Sequence, residues 1–95
     1  MENLAAKLNF YKEKPSSETL LTGVSKVVML GISAGNELKA HTSPVDAILS
    51  VVSGKGGFEY ENKNTLLSPG MVIKIPADLI HSVKATEDLK FLLIR

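Results

Sequence analysis

A single all-β barrel is the fold this sequence predicts, and three observations carry the prediction. Turn residues recur at Ser33-Ala34-Gly35-Asn36, Gly54-Lys55-Gly56-Gly57, Glu61-Asn62-Lys63-Asn64, Ser68-Pro69-Gly70, Pro76-Ala77-Asp78 and Thr86-Glu87-Asp88, with short Val-, Ile- and Leu-rich runs between them. From Gly54 onward these turns fall about every eight to ten residues, the rhythm of sandwich or barrel strands. The only two histidines hold equivalent places in separate β-elements: Gly35, five residues, His41, and then Gly70, five residues, Pro76, four residues, His81.

Taken in order, residues 1–16 form an N-terminal extension, with Leu4, Leu8 and Tyr11 at near-helical spacing predicting a helical turn or two over 3–11 before Pro15-Ser16-Ser17 breaks the pattern. The barrel is expected from about residue 17 to residue 95. Val27 to Leu30 and Leu89 to Ile94 are apolar on both parities, as strands covered on both faces would be. Either the N-terminal segment or a second subunit must supply the outer cover. Met71, Ile73 and Ile75 alternate with Val72 and Lys74, and Phe58 and Tyr60 alternate with Glu59 and Glu61, which sets a core face against a wet one. The glycines from Gly54 to Gly57 lack the strand-to-helix setting and lysine-serine ending of a phosphate loop, so they read as turn residues.

Ninety-five residues make one domain, with 44% hydrophobic and 22% charged residues in the ordinary globular range. Eleven basic and ten acidic residues give a net charge of +1, scattered singly, which argues against nucleic acid as a partner. The absence of cysteine removes disulfides, thiolate nucleophiles and sulfur-ligated zinc, and with no signal-peptide order at the start it makes the cytoplasm the expected compartment. No apolar stretch reaches the ~18 residues of a membrane span.

The order Gly35, His41, Gly54, then Gly70, Pro76, His81 resembles the two signature motifs of the cupin superfamily, jelly-roll β-barrels, over roughly residues 25–95. In that pattern the second histidine of the first motif falls on Ser43 and its glutamate on Ala47, while in the second motif the inner glycine falls on Asp78 and the asparagine on Ala85. The resemblance therefore implies a barrel with two of four metal-holding residues, His41 and His81, as ligands for a divalent ion such as iron, manganese, nickel or zinc. Asp46 is the nearest carboxylate in sequence. Counting in twos from His41 gives Ser43, Val45, Ala47, Leu49 and Val51 facing in, so Asp46 faces out unless a bulge at Pro44 inverts the parity. His81 shares its parity with Val83 and Ala85 and so faces the interior, whereas Glu37 and Lys39 share the parity of His41 and look solvated.

The favoured functional reading is a small-molecule-binding barrel whose interior pocket carries His41, Ser43, Ala47 and His81. The alternatives are a metal-dependent enzyme of the dioxygenase or isomerase kind that uses His41 and His81, and a structural or interaction domain. A homodimer is also expected. A chain of this size buries only about 60–65% of its unfolded surface, and Val28, Leu30, Ile32, Leu92 and Ile94 exceed what one barrel interior absorbs.

Overall fold

The computed structural model describes residues 3–12, 14–23 and 25–95. It is a jelly-roll of two antiparallel sheets. Nine strands follow one another among the described residues: β1 (Ser16–Leu21), β2 (Val27–Ile32), β3 (Glu37–His41), β4 (Ala47–Ser53), β5 (Gly56–Tyr60), β6 (Lys63–Leu67), β7 (Val72–Ile75), β8 (His81–Ala85) and β9 (Leu89–Ile94). A five-stranded sheet has the order β1-β2-β9-β4-β7 and a four-stranded sheet the order β3-β8-β5-β6. No described helix is long and apolar enough to cross a membrane.

The turns are made by the residues the sequence marks for them. Gly35, Gly54 and Gly70 all have positive φ, at 86°, 88° and 90°. Ser68-Pro69-Gly70-Met71 closes with the Met71 amide donating to the Ser68 carbonyl at 3.1 Å, proline and glycine occupying the central positions that suit each. Between β5 and β6 the loop is only Glu61 and Asn62, both left-handed at φ 48° and 61°, so the hairpin is of the primed type and Lys63 and Asn64 belong to β6 rather than to the turn. Gly56 and Gly57 are likewise strand residues, correcting their reading as turn residues. A Cβ on Gly56 would run into the Lys84 carbonyl of β8, so the close approach of the two backbones needs glycine there.

The core lies between the sheets. Phe58, Leu67 and Val83 from one wall meet Ile32, Leu49, Ile75, Leu89 and Phe91 from the other, each 1% exposed or less. Burying such side chains stabilises the fold by roughly 1.5–3 kcal/mol apiece. Register decides which parity faces in: Leu30 pairs with Phe91 and Val28 with Leu93 on the core side, while Met29 pairs with Leu92 and Gly31 with Lys90 on the outer side. Val28, Leu30 and Ile32 are therefore core residues and contribute nothing to an outer patch. Leu92 and Ile94 face outward as expected, near the exposed Ile48 and Val72.

The expected helix over residues 3–11 is a single 3-10 turn, Leu4–Ala6, capped by the Asn3 side chain accepting from the Ala5 amide at 3.0 Å, and Tyr11 is 51% exposed. The apolar spacing survives, but the residues pack as a strap rather than as a helix. The strap lies on the outer face of the five-stranded sheet, with Leu8 and Phe10 over Gly31. Lys90, 5% exposed on that face, donates from Nζ to the Ala5 carbonyl at 2.9 Å and sits 5.0 Å from the Phe10 ring centre. Burying an ammonium is tolerable only with such partners. The Lys7–Glu18 ion pair at 2.7 Å adds a second fastening. The strap thus covers Met29 and Gly31, and β1 begins at Ser16, one residue before the expected boundary.

Candidate functional site

His41 ends β3 and His81 begins β8, and the two are cross-strand partners in the four-stranded sheet. Their ring centres are 4.3 Å apart with planes tilted by 56°. They are neighbours on one wall rather than facing each other from opposite walls. What brings His41 inward is a bulge the sequence reading did not include. Leu38 pairs with Val83 and His41 with His81, three residues on β3 against two on β8, so one extra residue in the Lys39-Ala40 stretch resets the parity. Glu37 and Lys39 can then stay solvated while both Leu38 and His41 turn in. The one sequence clue is Leu38, an apolar residue in a polar strand at the opposite parity to His41.

Each imidazole is fixed by its own strand. His41 Nδ1 is 2.8 Å from the Lys39 carbonyl, and His81 Nδ1 is 2.8 Å from the Leu79 carbonyl. A carbonyl only accepts, so Nδ1 is the protonated nitrogen in both rings and Nε2 is left free. Phe58 stacks beneath His81 with ring centres 5.3 Å apart and planes within 24°, and Tyr60 lies 5.9 Å from Phe58. Phe58, read from sequence only as core, thus also supports the His81 ring from beneath. Beside the pair a depression of about 370 Å³ has His81 and Tyr60 in its wall together with Glu59, Asn64 and Ser82 of the outer face.

Ser43 and Ala47 are buried, at 7% and 5% exposure. Ala47 packs in the core opposite Ile75 of β7. Ser43 accepts from the Asp78 amide at 2.8 Å through its carbonyl and from the Val45 amide at 3.4 Å through Oγ. Asp46 faces out as parity predicts, its Oδ1 accepting from the Ala77 amide at 2.8 Å, so it clamps the β3–β4 loop to the β7–β8 loop. Val45, expected to face in, is 49% exposed, because the chain between His41 and Ala47 is loop and does not keep strand alternation.

Asp78, at the position of the motif's inner glycine, keeps the glycine conformation with φ 65°. Aspartate tolerates the left-handed region better than most residues but still at a cost. Asp78→Gly should therefore raise stability by about 0.5–1 kcal/mol, read as a melting temperature a few degrees higher; a lower one would show that the Asp78 side chain contributes more than its backbone costs.

Burial holds the His81 pKa below the ordinary 6.5, opposed by the hydrogen bond to Leu79 and reinforced by proximity to His41. A folded value below the unfolded one means that the unfolded chain takes up the proton first as the pH falls. Stability should therefore decline as the pH drops through about 6.5 and level off below the folded value. Urea midpoints between pH 8 and 5 test this: His81→Gln should flatten the decline, and a wild-type midpoint independent of pH would contradict it.

The fold, the two glycine-to-histidine segments and the inward imidazole pair together define a cupin barrel. A family model described as a cupin domain matches residues 28–95, and the chain belongs to that family. Among solved structures it is similar to a cupin 2 conserved barrel domain protein from Leptotrichia buccalis, 28% identical with a TM-score of 0.88 over 98% of this chain and 46% of that one. It is also similar to a cupin superfamily protein from Desulfitobacterium hafniense, at 18% identity and TM-score 0.90 over 98% and 86% of the two chains. A conserved protein of unknown function from Streptococcus pyogenes, at 23% identity, gives a TM-score of 0.87 over 99% and 83%. No curated protein matches.

The metal centre that the cupin family implies, three histidines and a glutamate, does not fit the donors present. Among the described residues no group of three or more His, Cys, Asp or Glu side chains comes together. Ala47 offers no donor, and Asp46 is engaged at the surface.

Proposed function

We propose that this chain is a small-molecule-binding cupin barrel whose site is built around His41 and His81. The observation that carries the reading is the convergence of two imidazoles, rings 4.3 Å apart, each with Nε2 free and with Phe58 and Tyr60 alongside. A few polar groups set on an aromatic wall is the usual make-up of a ligand site. Metal analysis of protein purified without chelator or histidine tag tests the reading, with the variant carrying His41→Ala and His81→Ala in parallel. No stoichiometric metal in either is the expected result. Stoichiometric metal in the wild type that is lost in the variant would overturn it in favour of a metal-dependent enzyme.

A further inference from the structure

The chemistry of the paired rings narrows the kind of ligand, and this step rests on the small-molecule reading above. Because both Nδ1–H groups are committed to backbone carbonyls, the neutral form of either ring is the Nδ1–H tautomer, which offers a bare Nε2 lone pair. No side chain or amide of the described residues donates to either Nε2. With ring centres 4.3 Å apart, both acceptors can be met by one small molecule that donates twice.

Three kinds of occupant could answer that demand. A divalent cation would meet only two neutral nitrogens, with no carboxylate to balance its charge, since Asp46 and Asp78 are exposed and Glu59 is drawn toward Lys84 at 3.8 Å on the outer face. An anion would meet two lone pairs. An uncharged molecule with two adjacent O–H or N–H groups satisfies both nitrogens without burying charge, and its carbon face can rest against Tyr60, which shares the depression with His81.

We propose that His41 and His81 act as a two-point hydrogen-bond acceptor for a small uncharged ligand presenting two adjacent O–H or N–H donors. The pair reads donor geometry, and Phe58 holds the His81 ring in place from beneath.

Nitrogen-15 NMR of the histidine rings tests the proposal on the intact chain. In the free protein at pH 8 both rings should show protonated Nδ1 and unprotonated Nε2, and the opposite tautomer in either ring overturns the proposal. The probes are cis-1,2-cyclohexanediol, its dimethyl ether, acetate and zinc ion. The diol should shift both Nε2 resonances saturably, while the ether and acetate leave them in place. His41→Phe, at a half-buried position, should weaken the diol by about threefold to tenfold, the worth of one hydrogen bond. If the ether binds as well as the diol, the acceptor proposal fails while the small-molecule reading stands. Stoichiometric zinc uptake at both Nε2 atoms, or no response to the diol at saturation, also overturns the proposal.

Discussion

Gly54→Ala should destabilise the barrel by about 2–5 kcal/mol, the sum of a left-handed backbone penalty and an unrelieved clash. Gly54 has φ 88°, and a Cβ there would run into the Asp88 carbonyl oxygen and lie 2.7 Å from Asp88 C and 2.8 Å from Leu89 Cα. Those atoms are backbone at the start of β9, the strand paired with both β2 and β4, so they cannot retreat without disturbing the centre of the five-stranded sheet. Gly35 supplies the control: its φ is 86°, yet nothing lies within 4 Å of its Cβ position. Gly35→Ala should cost only the conformational share, about 1–2 kcal/mol. Urea denaturation of the two variants separates these contributions, with the Gly54 midpoint falling well below that of Gly35. Equal losses would show that the approach to Asp88 relaxes on substitution.

Much of the architecture was legible because turns leave local signatures. The motif glycines each proved left-handed, and Ser68-Pro69-Gly70 made the turn its residues demand. Legibility ended where tertiary packing, not local preference, decides. Leu4 and Leu8 have helical spacing, but the segment is too short to sustain a helix and is held instead by Lys90 and by contacts over Gly31. Val28, Leu30 and Ile32 could not be told from Met29 as core or outer residues while both parities were apolar; only pairing with Phe91 and Leu93 distinguishes them.

At the site, motif spacing pointed to His41 and His81, while strand parity argued against His41 facing in. The bulge at Lys39-Ala40 reconciles the two. A bulge is a property of a strand pair, and a single strand's alternation does not display it. Parity held within β4, where Ala47, Leu49 and Val51 face in, but it did not reach Val45, which lies with Asp46 in the loop before that strand, and both are exposed. Phe58 carried the signal of an ordinary inward residue. Its contact with His81 arises only when β5 and β8 pair, with Phe58 opposite Val83 and the imidazole one step along the same face.

Phe58 is where stability and site meet. Its side chain is 1% exposed and packs in the core cluster while its ring stacks on His81 at 5.3 Å. Phe58→Ala should cost about 3–5 kcal/mol, the transfer loss plus the cavity left in a tightly packed interior. Phe58→Leu retains most of the volume, so it should cost about 1–2 kcal/mol and separate the loss of the ring stack from the loss of the core. The two substitutions should differ again at His81, whose depressed pKa has burial as its main cause. Opening a cavity beneath the imidazole in Phe58→Ala admits water and returns the pKa toward 6.5, whereas Phe58→Leu keeps the imidazole dry and the pKa low. NMR titration of the His81 ring in the two variants, alongside their urea midpoints, reads both effects. A pKa that stays equally low in Phe58→Ala would mean that groups other than Phe58 desolvate His81.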